Sequence, residues 1–541
     1  MIVGTAAAAV TLLSASKRAC ADLLKRPDIA SAAGKTMVDL YAAAVKAMQD
    51  PAINYPPQPQ SWTFQAYIHA VPLNPFDPAD SGGVYSSALK KRVDQIYGDP
   101  APGTKQAAWK QAALACWATC EHASPYFTTW HRWYLFYFER ICRKMSGHSE
   151  FQLPYWNYAS DNNSSLQLPE QFRAVSPDLR NPNVLFFDDR GLGFADGSAT
   201  GPQNVAMNDG GFMPYSLTQY GPALSAKKMF PSDNSANATG DPTDPKYLGL
   251  GFTGRLECVP HDNVHGYVGG WMQNVPSAAG DPIFYMHHSQ IDRLYAAWEA
   301  ETGASYNWGS SDSDPDETTW KTKKMGAFVD ENGRLIGVTL GDAIDTASLG
   351  YSYSYDALPS PPPSDVISLL TIAPRQIAGL KLAAMETHDI KVLNGGSTVT
   401  LQPAARAESI NPGVAASPAS HTLTLKGIKL LRRPPAPLAV FINLPSGTPP
   451  RLHNPYYVGT LNLFNFDLSS GGIMDHSDDD MHPDHAATGA TAQFDVTDVL
   501  TQQRAKGLWT GGAVTITIST IGADTPGTIT YITIDSATIT P

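Results

Sequence analysis

EHASPYFTTWHRWYLFYFER, residues 121–140, holds two histidines nine positions apart within a run of aromatic residues. Ser124 can cap a helix and Pro125 suits its first position. Beyond them Phe127, Trp130, His131, Tyr134, Leu135 and Phe138 recur at spacings of three and four. The spacing predicts an amphipathic helix with His131 in the middle of its buried face. A lone imidazole in that position needs only a hydrogen-bond partner and is more often a satisfied core residue than a ligand. A metal reading therefore requires further histidines to join it.

PHDNVHGY, residues 260–267, places His261 and His265 four apart after a helix-permitting Pro260, so both rings project from one helical face. Downstream, DPIFYMHHSQIDRLY (281–295) aligns with SPYFTTWHRWYLFY: Asp281 matches Ser124, Pro282 matches Pro125, Phe284 matches Phe127 and His288 matches His131. In each segment a capping residue and a proline precede a phenylalanine one turn before a histidine. The two helices read as halves of one site. His288 shares the stripe of Phe284, Ile291 and Tyr295, whereas His287 projects about a hundred degrees away and is assigned a supporting role. SWTFQAYIHA (61–70) adds His69 in an apolar setting. Two imidazole triads result, His69, His122 and His131 against His261, His265 and His288, with no cysteine or carboxylate pattern suited to zinc. All-imidazole ligation suits copper, iron or zinc, and two such triads in an aromatic shell of Phe127, Trp130 and Phe284 favour a pair of copper ions.

The chain has 541 residues, enough for several domains, and only 16% of them are charged against 43% hydrophobic, as in a globular protein with many ordered turns. A net charge of -12 without a basic cluster disfavours nucleic acid or an anionic membrane as partner. Five cysteines, none in the last 280 residues, form no disulfide framework. No apolar run is long enough to span a membrane. Residues 1–20 read either as the remainder of an export signal or as an Ala-rich N-terminal helix, which leaves a cytoplasmic or exported location open. Residues 71–115 and about 159–250 read as long loops with short elements. A Pro-rich linker at 356–365 separates a helical region, 21–355, from a C-terminal region, 366–541. There, stretches such as STVTLQPA, SHTLTLKGIKLL, LAVFINLP and GAVTITIST alternate with turns, the pattern of an antiparallel β-sandwich.

The combination of His69, Cys120-x-His122, His122-x8-His131 with WHRWYLFYFE, PHDNVH and DPIFYMHHSQIDRLY resembles the type 3 copper proteins, which include tyrosinases, catechol oxidases and molluscan hemocyanins. The resemblance implies a four-helix bundle around two copper ions, with long loops, followed by an all-β lid domain. It implies a thioether between Cys120 and the His122 ring, a catalytic Glu257 four residues before His261, and a water-holding position after His261. Related enzymes carry asparagine at that position and this chain carries Asp262, which could hold the water or act as base. Tyr351 and Tyr353 in LGYSYSYD look like the tyrosine motif that closes the catalytic domain in plant and fungal relatives. The implied activity is hydroxylation of monophenols to o-diphenols and their oxidation to o-quinones with dioxygen, latent until the C-terminal domain is displaced. The alternatives are a catechol or o-aminophenol oxidase lacking the hydroxylation step and a hemocyanin-like oxygen carrier. A small phenol and dioxygen are the expected partners, with the oligomeric state left open. In the loop at 466–490, Ile473 and Met474 are the candidate side chains to occupy the phenol's place in a latent form.

Overall fold

The computed structural model describes residues 23–72, 86–197, 203–214, 256–300, 316–354, 384–403, 421–464, 490–520 and 527–540, apart from a few single positions inside these spans, together with Thr218, Tyr220, Leu224, Tyr306 and Trp308. Its helical part is organised by α1 (Ala32–Met48), α2 (Trp62–His69), α3 (Phe127–Ser146), α4 (Asn263–Val268) and α5 (Ile283–Ala300). In α1 the Ser31 hydroxyl caps the Gly34 amide, and Val38, Tyr41, Val45 and Met48 line the buried face. The Tyr41 hydroxyl then donates to the Pro282 carbonyl at 2.9 Å and ties α1 to the start of α5. Helix α3 begins at Phe127, two residues later than the Ser124 cap and Pro125 suggest. The Ser124 hydroxyl is engaged before the helix starts, donating to Glu121 and accepting from the Tyr126 amide. Asp281 repeats this pattern by accepting from the Ile283 amide at the head of α5. Gly147, with φ of 76°, ends α3 in the left-handed conformation that a residue without a Cβ adopts readily. Residues 71–115 are more regular than expected, because Ser86–Tyr97 and Lys105–Cys116 are twelve-residue helices.

The two ends of this helical part meet. Strand β1 (Leu24–Arg26) pairs in parallel with β2 (Tyr351–Tyr353), with Arg26 opposite Tyr353. Behind the pair lies a buried charge cluster. Asp292 of α5 accepts from the Tyr351 and Tyr353 hydroxyls at 2.5 and 2.6 Å, from Arg132 Nε of α3 at 2.6 Å and from Arg26 Nη1 at 3.2 Å. Burial alone would raise the Asp292 carboxyl, but Arg132, Arg26 and the two tyrosine hydroxyls hold it below the usual carboxylate range.

The C-terminal part is all-β: β3 (Met385–Leu393), β4 (Ser397–Pro403), β5 (Thr422–Leu430), β6 (Leu438–Ile442), β7 (Tyr457–Leu461), β8 (Ala490–Asp495), β9 (Val514–Thr520) and β10 (Thr530–Thr540). The strands hydrogen-bond in the order β7-β6-β9-β4-β3-β10-β5-β8, every neighbouring pair antiparallel. Only Met385↔Pro403 and Glu386↔Gln402 join β3 to β4, so the order divides into two four-stranded halves. Both halves contribute to one core that includes Leu401, Leu425, Val440, Ile516 and Ile534. TAQFDVTDVL is the end of β8 followed by helix α6 (Thr497–Ala505). Strand β6 is buried on both faces: Leu438, Val440 and Ile442 enter the β core, while Ala439 and Phe441 enter the helical core beside Leu452, Tyr456 and Phe464. That double burial is why LAVFI lacks polar alternation. Residues 1–20 and 356–365, and all of 466–490 except Ala490, lie outside the described residues.

Candidate metal centre

The six triad histidines come together on helices α2 to α5 and on the segments that lead into α3 and α4. His69 ends α2, His122 lies on the loop before α3, His131 is on α3, His261 lies in the turn Glu257–Asp262 that leads into α4, His265 is on α4 and His288 is on α5. Four of the rings have their tautomer set by an oxygen. Nδ1 of His69 donates to the Val275 carbonyl at 3.0 Å, that of His131 to the Phe127 carbonyl at 2.8 Å, that of His265 to the Met272 carbonyl at 2.7 Å and that of His261 to Asp262 Oδ1 at 2.7 Å. With the proton on Nδ1, the Nε2 lone pair of each neutral ring is available to a metal. Burial, reinforced by neighbouring imidazoles, pushes His261, His265 and His288 well below the ordinary histidine range and His287 down to about 3. The rings are thus held neutral, as metal ligands must be.

The potential ligand atoms form two groups. One atom each from His69, Cys120, His122 and His131 lie within 4.8 Å of one another, and so do one each from His261, His265, His287 and His288. The groups face each other, with the His131 and His288 rings stacked at 4.4 Å and His122 and His261 centred 5.9 Å apart. The two aligned phenylalanines cross over. Phe127 of α3 packs on His261 at 4.7 Å, and Phe284 of α5 packs on His69 at 4.9 Å, so each helix walls the opposite half. His261 Nε2 is buried without a hydrogen-bond partner, a costly state for a polar atom unless a cation completes it. These two imidazole-rich clusters fit a binuclear copper site.

The supporting residues divide. Cys120 Sγ lies 3.3 Å from His122 Nδ1 and 3.7 Å from its Nε2, which faces it toward the ring carbon between the two nitrogens, and 3.4 Å from His131 Nε2. Glu257 is buried beside the site. Asp262 is bound to the His261 ring, and burial together with Glu257 raises its carboxyl well above the ordinary range. His287 departs from its expected position. Its ring is not turned away from the site but stacks on His261 at 5.4 Å and meets His265 at 4.8 Å, because the rings of α4 and of the turn before it reach across two adjacent positions of α5. Ile473 and Met474 fall outside the described residues. The β domain sends in Phe464, 2% exposed, whose ring stacks on His265 at 4.0 Å and 19° and stands edge-on to His261 and His122 at 5.5 and 5.7 Å. Sequence reading missed Phe464. Its only signal there was an aromatic residue just after a strand-like stretch, YYVGTLNLF.

A helical core that brings two histidine clusters face to face defines this as a type 3 copper protein. Residues 59–301 match the common central domain of tyrosinase, residues 325–361 the polyphenol oxidase middle domain and residues 380–537 a domain of unknown function, DUF7868. Tyrosinase HcTyr1 of Hahella sp. (strain CCB-MM4) is 32% identical over 327 residues, covering 58% of this chain and 60% of that protein. Chloroplastic polyphenol oxidase II of Ipomoea batatas is 30% identical over 254 residues, 44% of this chain and 40% of its own length. The chain thus spans less than two thirds of these relatives. A recombinantly expressed latent aurone synthase, itself a polyphenol oxidase, shares the fold with a TM-score of 0.53 over 96% of this chain and 89% of that one, at 20% identity. The chain belongs to the tyrosinase and polyphenol oxidase family.

Proposed function

We propose that this chain is a tyrosinase, hydroxylating monophenols and oxidising the resulting o-diphenols to o-quinones with dioxygen, and that the intact chain is latent. His69, His122 and His131 would hold one copper and His261, His265 and His288 the other, with a Cys120–His122 thioether stiffening the ligand on the loop before α3. Bound there, the copper pair supplies the electrons for dioxygen chemistry. The chain's own residues do the rest. Phe127 and Phe284 exclude water from the facing rings, and the Val275, Met272 and Phe127 carbonyls keep the imidazoles in one tautomer and orientation. Glu257 takes the phenol proton, and Asp262 orients His261. The observation that carries the reading of latency is Phe464, an aromatic ring lying flat on His265 where a phenol ring would approach.

A second reading, oxidation of o-diphenols or o-aminophenols alone, is favoured by one feature. The Asp262 carboxyl is committed to His261 Nδ1, whereas the resembling enzymes have an amide at this position to hold water. Oxygen uptake by the copper-loaded protein with tyrosine and with a catechol separates the readings. Limited proteolysis near residue 360 and Phe464→Ala should each raise turnover on bulky phenols. Uptake with catechol but none with tyrosine after opening would leave the second reading. A Phe464→Ala protein no faster than the parent would overturn latency.

A further inference from the structure

The ring of Phe464 is held in place by its backbone, and Arg433 grips that backbone. Arg433 donates through Nη1 to the Leu463 carbonyl and through Nη2 to the Phe464 carbonyl at 3.4 Å. These two successive acceptors set the direction in which the Phe464 side chain leaves the chain. The residues after Arg433 grip the catalytic domain. The Pro434 carbonyl accepts from Gln273 Nε2 at 3.0 Å, and Pro437 packs against Gly266, where a Cβ would stand 3.1 Å from Pro437 Cγ. Gly266 directly follows His265, the ring on which Phe464 lies. Residues 433–437 therefore form a bracket with one hand on the ligand helix and the other on the segment that covers it, and fixed proline φ angles stiffen it. The guanidinium also borders a small cavity with Asp262, Gln273 and Phe464, the space that would open onto the site were Phe464 to withdraw.

We propose that Arg433 is a positioning residue that latches Phe464 over the copper pair. The inference rests on the latency reading and adds what holds the cover shut. A planar fork can serve two adjacent carbonyls at once, and an ammonium reproduces the charge without that geometry. Loss of the fork should release the cover without proteolysis.

The test uses the full-length, copper-loaded protein, with kcat/KM for tert-butylcatechol as readout and copper content as a check. Arg433→Ala should raise kcat/KM about tenfold or more, toward the level of Phe464→Ala, because charge-assisted hydrogen bonds to two carbonyls are lost. Arg433→Lys should rise part of the way. Ile534→Val, a small cavity in the β core away from the interface, should stay at the parent level. If Phe464→Ala is activated and Arg433→Ala is not, the latch is wrong and latency stands. If Phe464→Ala is itself inactive as an opener, the latency reading fails instead. Activation of Ile534→Val equal to that of Arg433→Ala would mean general loosening of the β domain and would also overturn the latch. Should Arg433→Ala fail to fold, Arg433→Lys decides: an intermediate rise supports the latch and parent-level activity overturns it.

Discussion

Asp292→Asn is the substitution whose cost the structure specifies most directly. Asp292 lies one turn beyond His288 on α5, and its partner Arg132 directly follows His131 on α3, so this ion pair crosslinks the two histidine-bearing helices next to their proposed ligands. Oδ1 serves Arg132 at 2.6 Å, while Oδ2 serves Tyr351, Tyr353 and Arg26. All four partners are donors, and an amide nitrogen in either position turns a donor toward donors. The change also leaves two fully buried guanidiniums, Arg26 and Arg132, without the charge between them, although Glu139 and Glu299 remain as second partners. Removing one member of a buried ion pair costs about 3–5 kcal/mol. At about 2–4 °C per kcal/mol for a unit of this size, the melting midpoint at neutral pH should fall by roughly 6–20 °C. The pH dependence has a definite sign. The folded carboxyl sits below its unfolded value, so its contribution is complete above about pH 4 and is lost as pH falls through the folded pKa. The gap between parent and variant, measured by calorimetry, should therefore narrow in acid. A loss below about 1 kcal/mol at neutral pH, or a gap that widens in acid, would refute the account.

Alanine at any one of His69, His122, His131, His261, His265 or His288 should abolish phenol oxidation and lower copper content by about one ion by elemental analysis, since each triad needs its three imidazoles. His287→Ala should keep both ions; full loss there with retention in His288→Ala would exchange the two assignments. For Cys120, mass spectrometry of the peptide joining it to His122 should find it lighter by two hydrogens than its sequence requires, and alkylation of the denatured protein should miss this thiol. A peptide of unaltered mass whose cysteine alkylates would exclude the thioether.

The local sequence already determined the two helical halves of the site. A phenylalanine one turn before a histidine, after a polar residue and a proline, could be read at 124–131 and again at 281–288, because helical periodicity is written in neighbouring residues. The same holds for the His261 and His265 pair and for the change of texture from helical to β-branched patterns. What sequence could not carry were contacts made by the backbone and by distant segments. The carbonyl that orients His69 belongs to Val275, some two hundred residues away, and any residue type would present it. His287 joined the site through the approach of α4, not through its own position on α5. Phe464 was invisible as a cover because its place over His265 follows from the docking of β6 and from Arg433's hold on two carbonyls. Periodicity assigns a side chain to a face of its own element; which ring that face meets is settled only when two separately folded cores close on a shared strand.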